Sequence, residues 1–300
     1  MIRALDKKTG QVRWSYDIRK DGDQTEFHGD PLLTEKLIVV GTDGKMGHVY
    51  AFDRLTGAVR WKYRVEGRGL ASDIVRYEDY AYAVTLGDEL VCLNLENGER
   101  KWNFRSTAPP KLSYWNSSPV IVGDRVYFGG LDGFAYAVGV RSGELVWKSD
   151  LGARVTTSMV SHGNDIYVGT ANHHLYRLDS DSGKVLADLA VDGEPRSRLI
   201  VASDSLLVFL GPQGLASFDL SLKEARWFAK ASPNWTSARP YVWRDEVLAG
   251  DGAELVAFRS SDGARVWSYQ LPGTIRGIGI ANDVFYVGTL KGPVFALARR

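Results

Sequence analysis

An eleven-residue pattern that recurs along the chain is the feature that most constrains the fold. Its fullest form is Ala51-x-Asp53-x-x-Thr56-Gly57-x-x-x-Trp61, which joins an apolar run to a second run through a turn. The final position falls at residues 14, 61, 102, 147, 187, 227 and 267, and it holds tryptophan everywhere except at Ala187. A period of this size, built from short β runs, is typical of a β-propeller with one repeat per blade.

Each part of the pattern has a mechanical role. Asp53 and Thr56 are turn residues whose side chains bond nearby backbone, and Gly57 supplies the positive φ that closes a hairpin. The tryptophan that follows is predicted to lie across the neighbouring blade and to bury a large aromatic area. A ligand cage is the weaker interpretation, because one residue per blade at a fixed offset is more simply a contact between blades. One copy lacks the tryptophan, at Ala187, and one lacks the glycine, at Lys223.

The β runs predict blades of four antiparallel strands, A to D from inside to outside, with the Thr-Gly turn between C and D. Six blades are complete between residues 29 and 271. The N-terminus supplies a C–D hairpin at Ile2–Leu5 and Val12–Tyr16, and residues 277–281, 284–287 and 294–297 supply A, B and C. We therefore predict an all-β, seven-bladed propeller whose last blade is closed by both chain ends. An eight-bladed parent trimmed at both ends is the alternative, because Ile2–Leu5 and 294–297 both look like strand C.

The repeated Ala-x-Asp-x-x-Thr-Gly-x-x-x-Trp frame resembles the tryptophan-docking motif of the pyrroloquinoline-quinone-like (PQQ-like) β-propellers. The resemblance covers nearly the whole chain and implies a single propeller domain over residues 1–300. The family includes quinoprotein alcohol dehydrogenases and the propeller lipoprotein of the bacterial outer-membrane protein assembly machinery, and that lipoprotein is the nearest functional analogue. One propeller architecture serves many functions, so the resemblance constrains fold more than activity.

Composition excludes several classes of protein. The formal net charge of +1 argues against a general nucleic-acid binder, which needs a basic excess. A single cysteine, Cys92, allows neither an intramolecular disulfide nor a cysteine metal cluster, and a small buried thiol is its expected role. No stretch is long enough to span a bilayer, and we expect a monomer. The first residues enter a repeat at once, which predicts a cytoplasmic protein or a mature chain whose leader was removed; the second is favoured by the resemblance.

The loops between strand D and the next strand A carry recurrent arginines, and two of these loops carry tryptophan. Together they predict a ring of guanidinium groups and aromatic plates at the mouth of the central channel, suited to an acidic or extended peptide. The alternative is that each arginine braces its own loop. The predicted partner-binding residues are Arg68, Trp115, Arg154, Arg196, Trp235, Arg239 and Arg276.

No catalytic constellation is present in the sequence, and none of the nucleophile-elbow, phosphate-loop or zinc-protease motifs occurs. The glycine-flanked aspartates Asp43, Asp88, Asp132 and Asp251 are explained by turn chemistry, and the histidines by exposed loops. We therefore predict no metal, no cofactor and no enzyme activity.

The favoured hypothesis is a non-catalytic scaffold that binds a protein or peptide at the channel mouth, in bacterial envelope protein assembly. It assumes that the chain ends close the ring and that the guanidinium groups face the channel. Two alternatives stay open. A PQQ-dependent dehydrogenase is disfavoured because one cysteine excludes the vicinal Cys-Cys ring of many such enzymes; the other alternative is a sensor module of a larger protein.

Overall fold

The computed structural model describes residues 1–300 except 23–25, 28, 45–46, 67–68, 107–116, 212, 231, 233–239, 291 and 299–300. Its contacts divide the chain into two compact units. The first holds residues 1–159 and 180–183, and the second holds residues 160–179 and 184–300. The prediction of a single domain over residues 1–300 stays a prediction.

The first unit contains an N-terminal hairpin, a 3₁₀ turn at Ile18–Asp21 and three blades. The hairpin is β1 (Ile2–Leu5) and β2 (Val12–Tyr16). Blade 1 is β3 (Leu32–Leu33), β4 (Leu37–Gly41), β5 (His48–Asp53) and β6 (Val59–Arg64). Blade 2 is β7 (Val75–Tyr77), β8 (Tyr80–Val84), β9 (Glu89–Asn94) and β10 (Arg100–Arg105). Blade 3 is β11 (Val120–Val122), β12 (Arg125–Gly129), β13 (Phe134–Gly139) and β14 (Leu145–Asp150), and the short β15 (Thr157–Ser158) follows.

The second unit contains four blades. Blade 4 is β16 (Val160–His162), β17 (Asp165–Thr170), β18 (His174–Asp179) and β19 (Val185–Ala190). Blade 5 is β20 (Pro195–Ala202), β21 (Ser205–Leu210), β22 (Gly214–Asp219) and β23 (Ala225–Lys230). Blade 6 is β24 (Tyr241–Trp243), β25 (Glu246–Asp251), β26 (Glu254–Arg259) and β27 (Arg265–Gln270). Blade 7 has three strands, β28 (Ile275–Ala281), β29 (Val284–Thr289) and β30 (Val294–Ala298).

Six four-stranded antiparallel meanders and one three-stranded meander are the seven blades of a β-propeller, the fold class that the repeat predicts. One predicted detail is absent from the described residues, namely a blade shared by the two chain ends. There, β2 pairs with β1 alone and β30 with β29 alone, in separate sheets. The reason is the one that the sequence raised: β1 and β30 are both of strand C type, and a four-stranded meander has room for one.

The motif residues occupy one fixed place in the strand register. In blade 1, Ala51 on β5 lies directly opposite Trp61 on β6, and the register shifts at the next residue. The same alanine–tryptophan pairing occurs in the hairpin and in blades 3 and 6. Asp53 Oδ1 accepts the backbone N–H groups of Leu55 and Thr56, at 3.0 and 2.9 Å, as the turn chemistry predicts.

The tryptophans link successive repeats. The indole N–H of Trp61 donates to the Leu95 carbonyl in the following turn at 2.8 Å, and its ring lies against Gly98. Trp14 makes the same contacts with the Arg54 carbonyl and with Gly57. A Cβ atom on either glycine would overlap the indole, so glycine is required there for space as well as for its positive φ.

The hydrophobic core consists of clusters that pairs of neighbouring sheets share. Val49 and Ala51 of blade 1 pack in one cluster with Ala81 and Val91 of blade 2, and blades 2 and 3 share another. In the second unit, successive blades 4 to 7 are joined by three such clusters. Strands B and C are buried because a sheet lies on each side of them, whereas strand D alternates between buried and exposed residues.

The junction between blades 4 and 5 explains why two copies of the motif are degraded. Ala187 stands where the tryptophan of blade 4 is expected, and the turn of blade 5 that this tryptophan would contact lacks glycine. In that turn Leu222 is buried and belongs to the cluster that Ala187 packs against. The Tyr167 hydroxyl donates to the Leu220 carbonyl at 2.8 Å, the motif position that an indole bonds elsewhere. Leu222 therefore takes the place of the glycine where the indole is absent, while the tyrosine bond is one that this junction shares with blade 3, where Tyr127 donates to the Ser180 carbonyl.

Candidate functional site

The described residues include three of the seven predicted partner-binding residues, and all three are exposed: Arg154, Arg196 and Arg276. The other four lie outside the described residues: Arg68, Trp115, Trp235 and Arg239. Arg154 belongs to the first unit, and Arg196 and Arg276 belong to the second. The predicted ring of guanidinium groups therefore stays a prediction.

Arg196 and Arg276 occupy equivalent positions at the start of strand A. Each comes three residues after a positive-φ glycine, Gly193 or Gly273, and directly after a buried residue. Sequence reasoning placed both arginines in the loop, but β20 and β28 begin one residue earlier. In β28 the register shifts between Ile275 and Gly277, so Arg276 lies at the irregularity, whereas in β20 Arg196 is paired with Phe209 and the register shifts between Arg196 and Ile200. Bulges often redirect a side chain next to a functional site.

The two equivalent arginines differ in their partners. Arg196 forms an ion pair with Glu194 at 2.7 Å, yet 57% of its side chain is exposed. Arg276 has no ion pair or side-chain hydrogen bond within the described part of the chain. Loop bracing thus accounts for part of the role of Arg196, while the guanidinium of Arg276 stays available to an acidic partner.

Arg154 is displaced along the chain from the other two. The N–H of Val155 donates to the Gly130 carbonyl, and the N–H of Ile275 donates to the Gly252 carbonyl, so these two buried residues correspond. Arg154 precedes its buried residue, whereas Arg276 follows its own. The arginines that the sequence pattern groups together therefore occupy two different structural positions, one before the buried residue and one after it.

Asp88 is a buried carboxyl group that turn chemistry alone does not explain. It is 2% exposed, and its Oδ2 accepts the Ser106 hydroxyl at 2.6 Å and the Leu131 N–H of blade 3 at 3.0 Å. Oδ1 has no hydrogen-bond partner among the described residues. Burial raises the pKa of Asp88 to about 6, and the negative charge of Asp132 adds to the effect. The sequence shows only a glycine-flanked aspartate, because its burial depends on blade 3.

We expect stability to fall as pH rises through the titration of Asp88. Its folded pKa lies about two units above the ordinary value of about 4, so protonation favours the folded state. The stability that the bound proton contributes is complete below about pH 4 and is lost as pH rises through 6, a change of about 3 kcal/mol. Asp88→Asn, which keeps an acceptor oxygen, should remove this slope in urea denaturation between pH 4.5 and 7.5. The exposed Asp192→Asn is the control, and identical slopes for Asp88→Asn and wild type would contradict the prediction.

The histidines and acidic residues assemble no metal site in the part of the chain that the structure describes. His48, which was expected in an exposed loop, is buried at the start of β5. His174 also lies in a strand, β18, where Nδ1 contacts the carboxylate of Asp188. The described residues include no helix with the length and apolar character needed to cross a membrane.

Comparison with known proteins decides the family. The family model for outer membrane protein assembly factor BamB matches residues 1–141 and 131–299, nearly the whole chain. The chain belongs to the BamB family. BamB family members are PQQ-like propellers, as the repeat resemblance predicts.

Individual BamB relatives are distant in sequence. The outer membrane protein assembly factor BamB of Burkholderia pseudomallei is 28% identical over 186 residues, which are 59% of this chain and 49% of that protein. The chain thus spans about half the length of this relative. The BamB of Yersinia pestis is 22% identical over 325 residues, covering 100% of this chain and 80% of the relative. The crystal structure of BamB from Moraxella catarrhalis superposes with a TM-score of 0.78 at 16% identity, over 93% of this chain and 86% of that one, which supports the shared fold.

Proposed function

We propose that the chain is a non-catalytic scaffold of outer membrane protein assembly that binds a protein or peptide partner. The observation that carries the proposal is the match of the BamB family model along nearly the whole chain. The names of the relatives describe assembly factors, and assembly at the outer membrane takes place outside the cytoplasm. An extracytoplasmic location follows for this chain, with a periplasmic site of action.

The partner surface that we propose consists of the exposed arginines at the start of strand A, Arg196 and Arg276, together with Arg154, Arg68, Arg239, Trp115 and Trp235. Arginine and tryptophan are the residues that most often dominate the energetics of protein interfaces. Both arginines lie next to a register shift of strand A, and Arg276 falls within it. An acidic segment supplies carboxylates that a guanidinium binds through two parallel hydrogen bonds. The sequence-based hypothesis assumed that the chain ends close the ring, and because β2 and β30 lie in separate sheets among the described residues, the proposal rests instead on the family match.

Replacing the three described arginines by alanine tests the surface. The immobilised wild-type chain should retain outer membrane assembly components from an envelope extract, identified by mass spectrometry. Arg154→Ala, Arg196→Ala and Arg276→Ala together should weaken binding of the purified partner at least tenfold, because each interface arginine contributes on the order of 1 kcal/mol or more. The melting temperature should change by less than about 3 °C, since exposed ion pairs add little stability.

The matched control removes three exposed basic residues at the turns between strands C and D: Arg54→Ala, Lys184→Ala and Arg259→Ala. This variant loses the same charge and should bind the partner as the wild type does. Equal loss of binding in both variants would mean that the loss of positive charge alone weakens binding. Unfolding of the first variant would show that the arginines brace their loops and would remove the proposed surface.

A further inference from the structure

The tryptophan of blade 2 departs from a contact that other junctions share. Four other motif tryptophans donate the indole N–H to the carbonyl of the fourth residue of the next motif, whereas Trp267 donates to the Glu246 carboxylate at 2.8 Å. The four pairs are Trp14 with Arg54 at 3.1 Å, Trp61 with Leu95 at 2.8 Å, Trp147 with Ser180 at 2.9 Å, and Trp227 with Ser260 at 2.9 Å. For Trp102 the corresponding acceptor is the Val140 carbonyl.

The Val140 carbonyl accepts a different donor, the hydroxyl of Tyr82, at 2.9 Å. The indole N–H of Trp102 is buried and has no hydrogen-bond partner within the described residues. Competition with Tyr82 for the Val140 oxygen does not explain the missing hydrogen bond of Trp102. In blade 3 the Ser180 carbonyl accepts both the Tyr127 hydroxyl and the Trp147 indole N–H. The Trp102 ring still lies against Gly143 as the Trp61 ring lies against Gly98, so this junction differs in the missing hydrogen bond of the indole N–H and not in the placement of the ring.

Cys92 is the motif position that differs at this junction. It lies directly opposite both Trp102 and Tyr82 in the strand register. The corresponding residue opposite Trp61 and Trp147 is alanine. The cysteine sulfur adds a bulky atom between the two aromatic rings, because cross-strand side chains on one face of a sheet are in contact. Burial raises the pKa of the Cys92 thiol to about 11, so this group is uncharged at neutral pH.

A cavity of about 150 Å³ lies between blades 2 and 3, and Cys92 and Trp102 are among the residues that line it. At about 30 Å³ per water, it has room for about five water molecules or one benzoate-sized compound. Tyr77 and Tyr80 contribute aromatic walls, and Lys101 and Arg141 contribute positive charge. Arg141 is paired with Glu78, whereas Lys101 forms no ion pair with any described residue. The cavity thus combines an unpaired buried N–H donor, an unpaired ammonium group and flat apolar walls.

We propose that this cavity, the Trp102 pocket, binds a small carboxylate with a flat apolar body. The carboxylate accepts a hydrogen bond from the Trp102 indole and pairs with the Lys101 ammonium, and its apolar body packs between the tyrosine rings. The neutral thiol of Cys92 does not repel the anion. The same chemistry is available from a free aromatic acid and from the C-terminal carboxylate of a peptide that ends in an aromatic residue.

Nuclear magnetic resonance of the indole groups tests the pocket in the intact chain. The chain has nine tryptophans, and Trp102→Phe identifies the Trp102 indole signal by its loss. Benzoate should shift that signal saturably, with a Kd on the order of 1 mM for so small a ligand. Benzyl alcohol, which is similar in shape and neutral, should bind at least tenfold more weakly. Gly-Gly-Phe and its C-terminal amide form the peptide arm, in which only the free acid should shift the signal if the pocket accepts a chain end.

Two variants separate a binding site from a cavity that merely fills with water. Lys101→Met should weaken benzoate at least tenfold, whereas Lys223→Met, which removes a lysine from the blade 5 turn, should leave it unchanged. The proposal is overturned by an absent or unsaturable shift, by equal binding of benzyl alcohol, or by an undiminished shift in Lys101→Met.

Discussion

Replacing Gly57 by alanine should lower the free energy of unfolding by about 3 kcal/mol. The residue has a φ of +72°, a conformation that costs an L-residue about 1 kcal/mol. A Cβ atom there would also overlap the Trp14 ring, which is buried and held by its hydrogen bond to the Arg54 carbonyl. Forcing an extra carbon into such packing adds about 2 kcal/mol.

Gly10→Ala separates the two costs. Gly10 occupies the same motif position with the same φ of +72°, but a Cβ atom there meets nothing within 4 Å. It should therefore lose only the backbone part, about 1 kcal/mol. Urea denaturation of both variants measures the difference. Equal losses of unfolding free energy would show that the overlap with the Trp14 indole does not contribute.

Replacing Trp61 by alanine should cost about 4 kcal/mol. The ring is 7% exposed in the cluster that joins blades 1 and 2, and large-to-small changes at such sites leave a cavity that the surroundings fill only in part. The change also leaves the Leu95 carbonyl without its indole donor. Guanidinium denaturation followed by circular dichroism measures the loss without relying on tryptophan emission.

Trp61→Phe distinguishes packing from hydrogen bonding. Phenylalanine keeps much of the aromatic area but donates no hydrogen bond, so we expect a loss of about 2 kcal/mol. If Trp61→Ala and Trp61→Phe were equally destabilised, the hydrogen bond and not the buried area would dominate the junction. A loss below about 1 kcal/mol in both would contradict the role assigned to the repeat.

The repeat predicts the fold closely because its residues encode local geometry. The alanine, turn and tryptophan fix the pairing of strands C and D, and β1 and β2 have the predicted bounds. The pairing of the chain ends is not encoded in this way. Two strands of type C fit the local pattern equally well, and only the complete sheet decides which neighbour each one takes.

The candidate sites were harder to predict because they depend on neighbours distant in sequence. The register shifts beside Arg196 and Arg276 leave no simple mark in the sequence. In the sequence Asp88 looks like a turn residue, because its burial depends on contact with blade 3. The substitution of cysteine for alanine at position 92 is visible in the sequence, but the unpaired Trp102 indole N–H and the cavity beside it are visible only in the structure.

The shared replacement at Ala187 and Leu222 has a consequence for engineering. The indole of one repeat packs against the turn glycine of the next repeat. A segment that can be exchanged between propellers therefore has to run from the middle of one blade to the middle of its neighbour, so that it contains both residues of the contact. A chimera that imports a glycine turn into blade 5 without a tryptophan at position 187 would open a hole, and one that imports the tryptophan alone would collide with Leu222. Recombination breakpoints should therefore be placed inside sheets, and grafted segments should carry both halves of a junction.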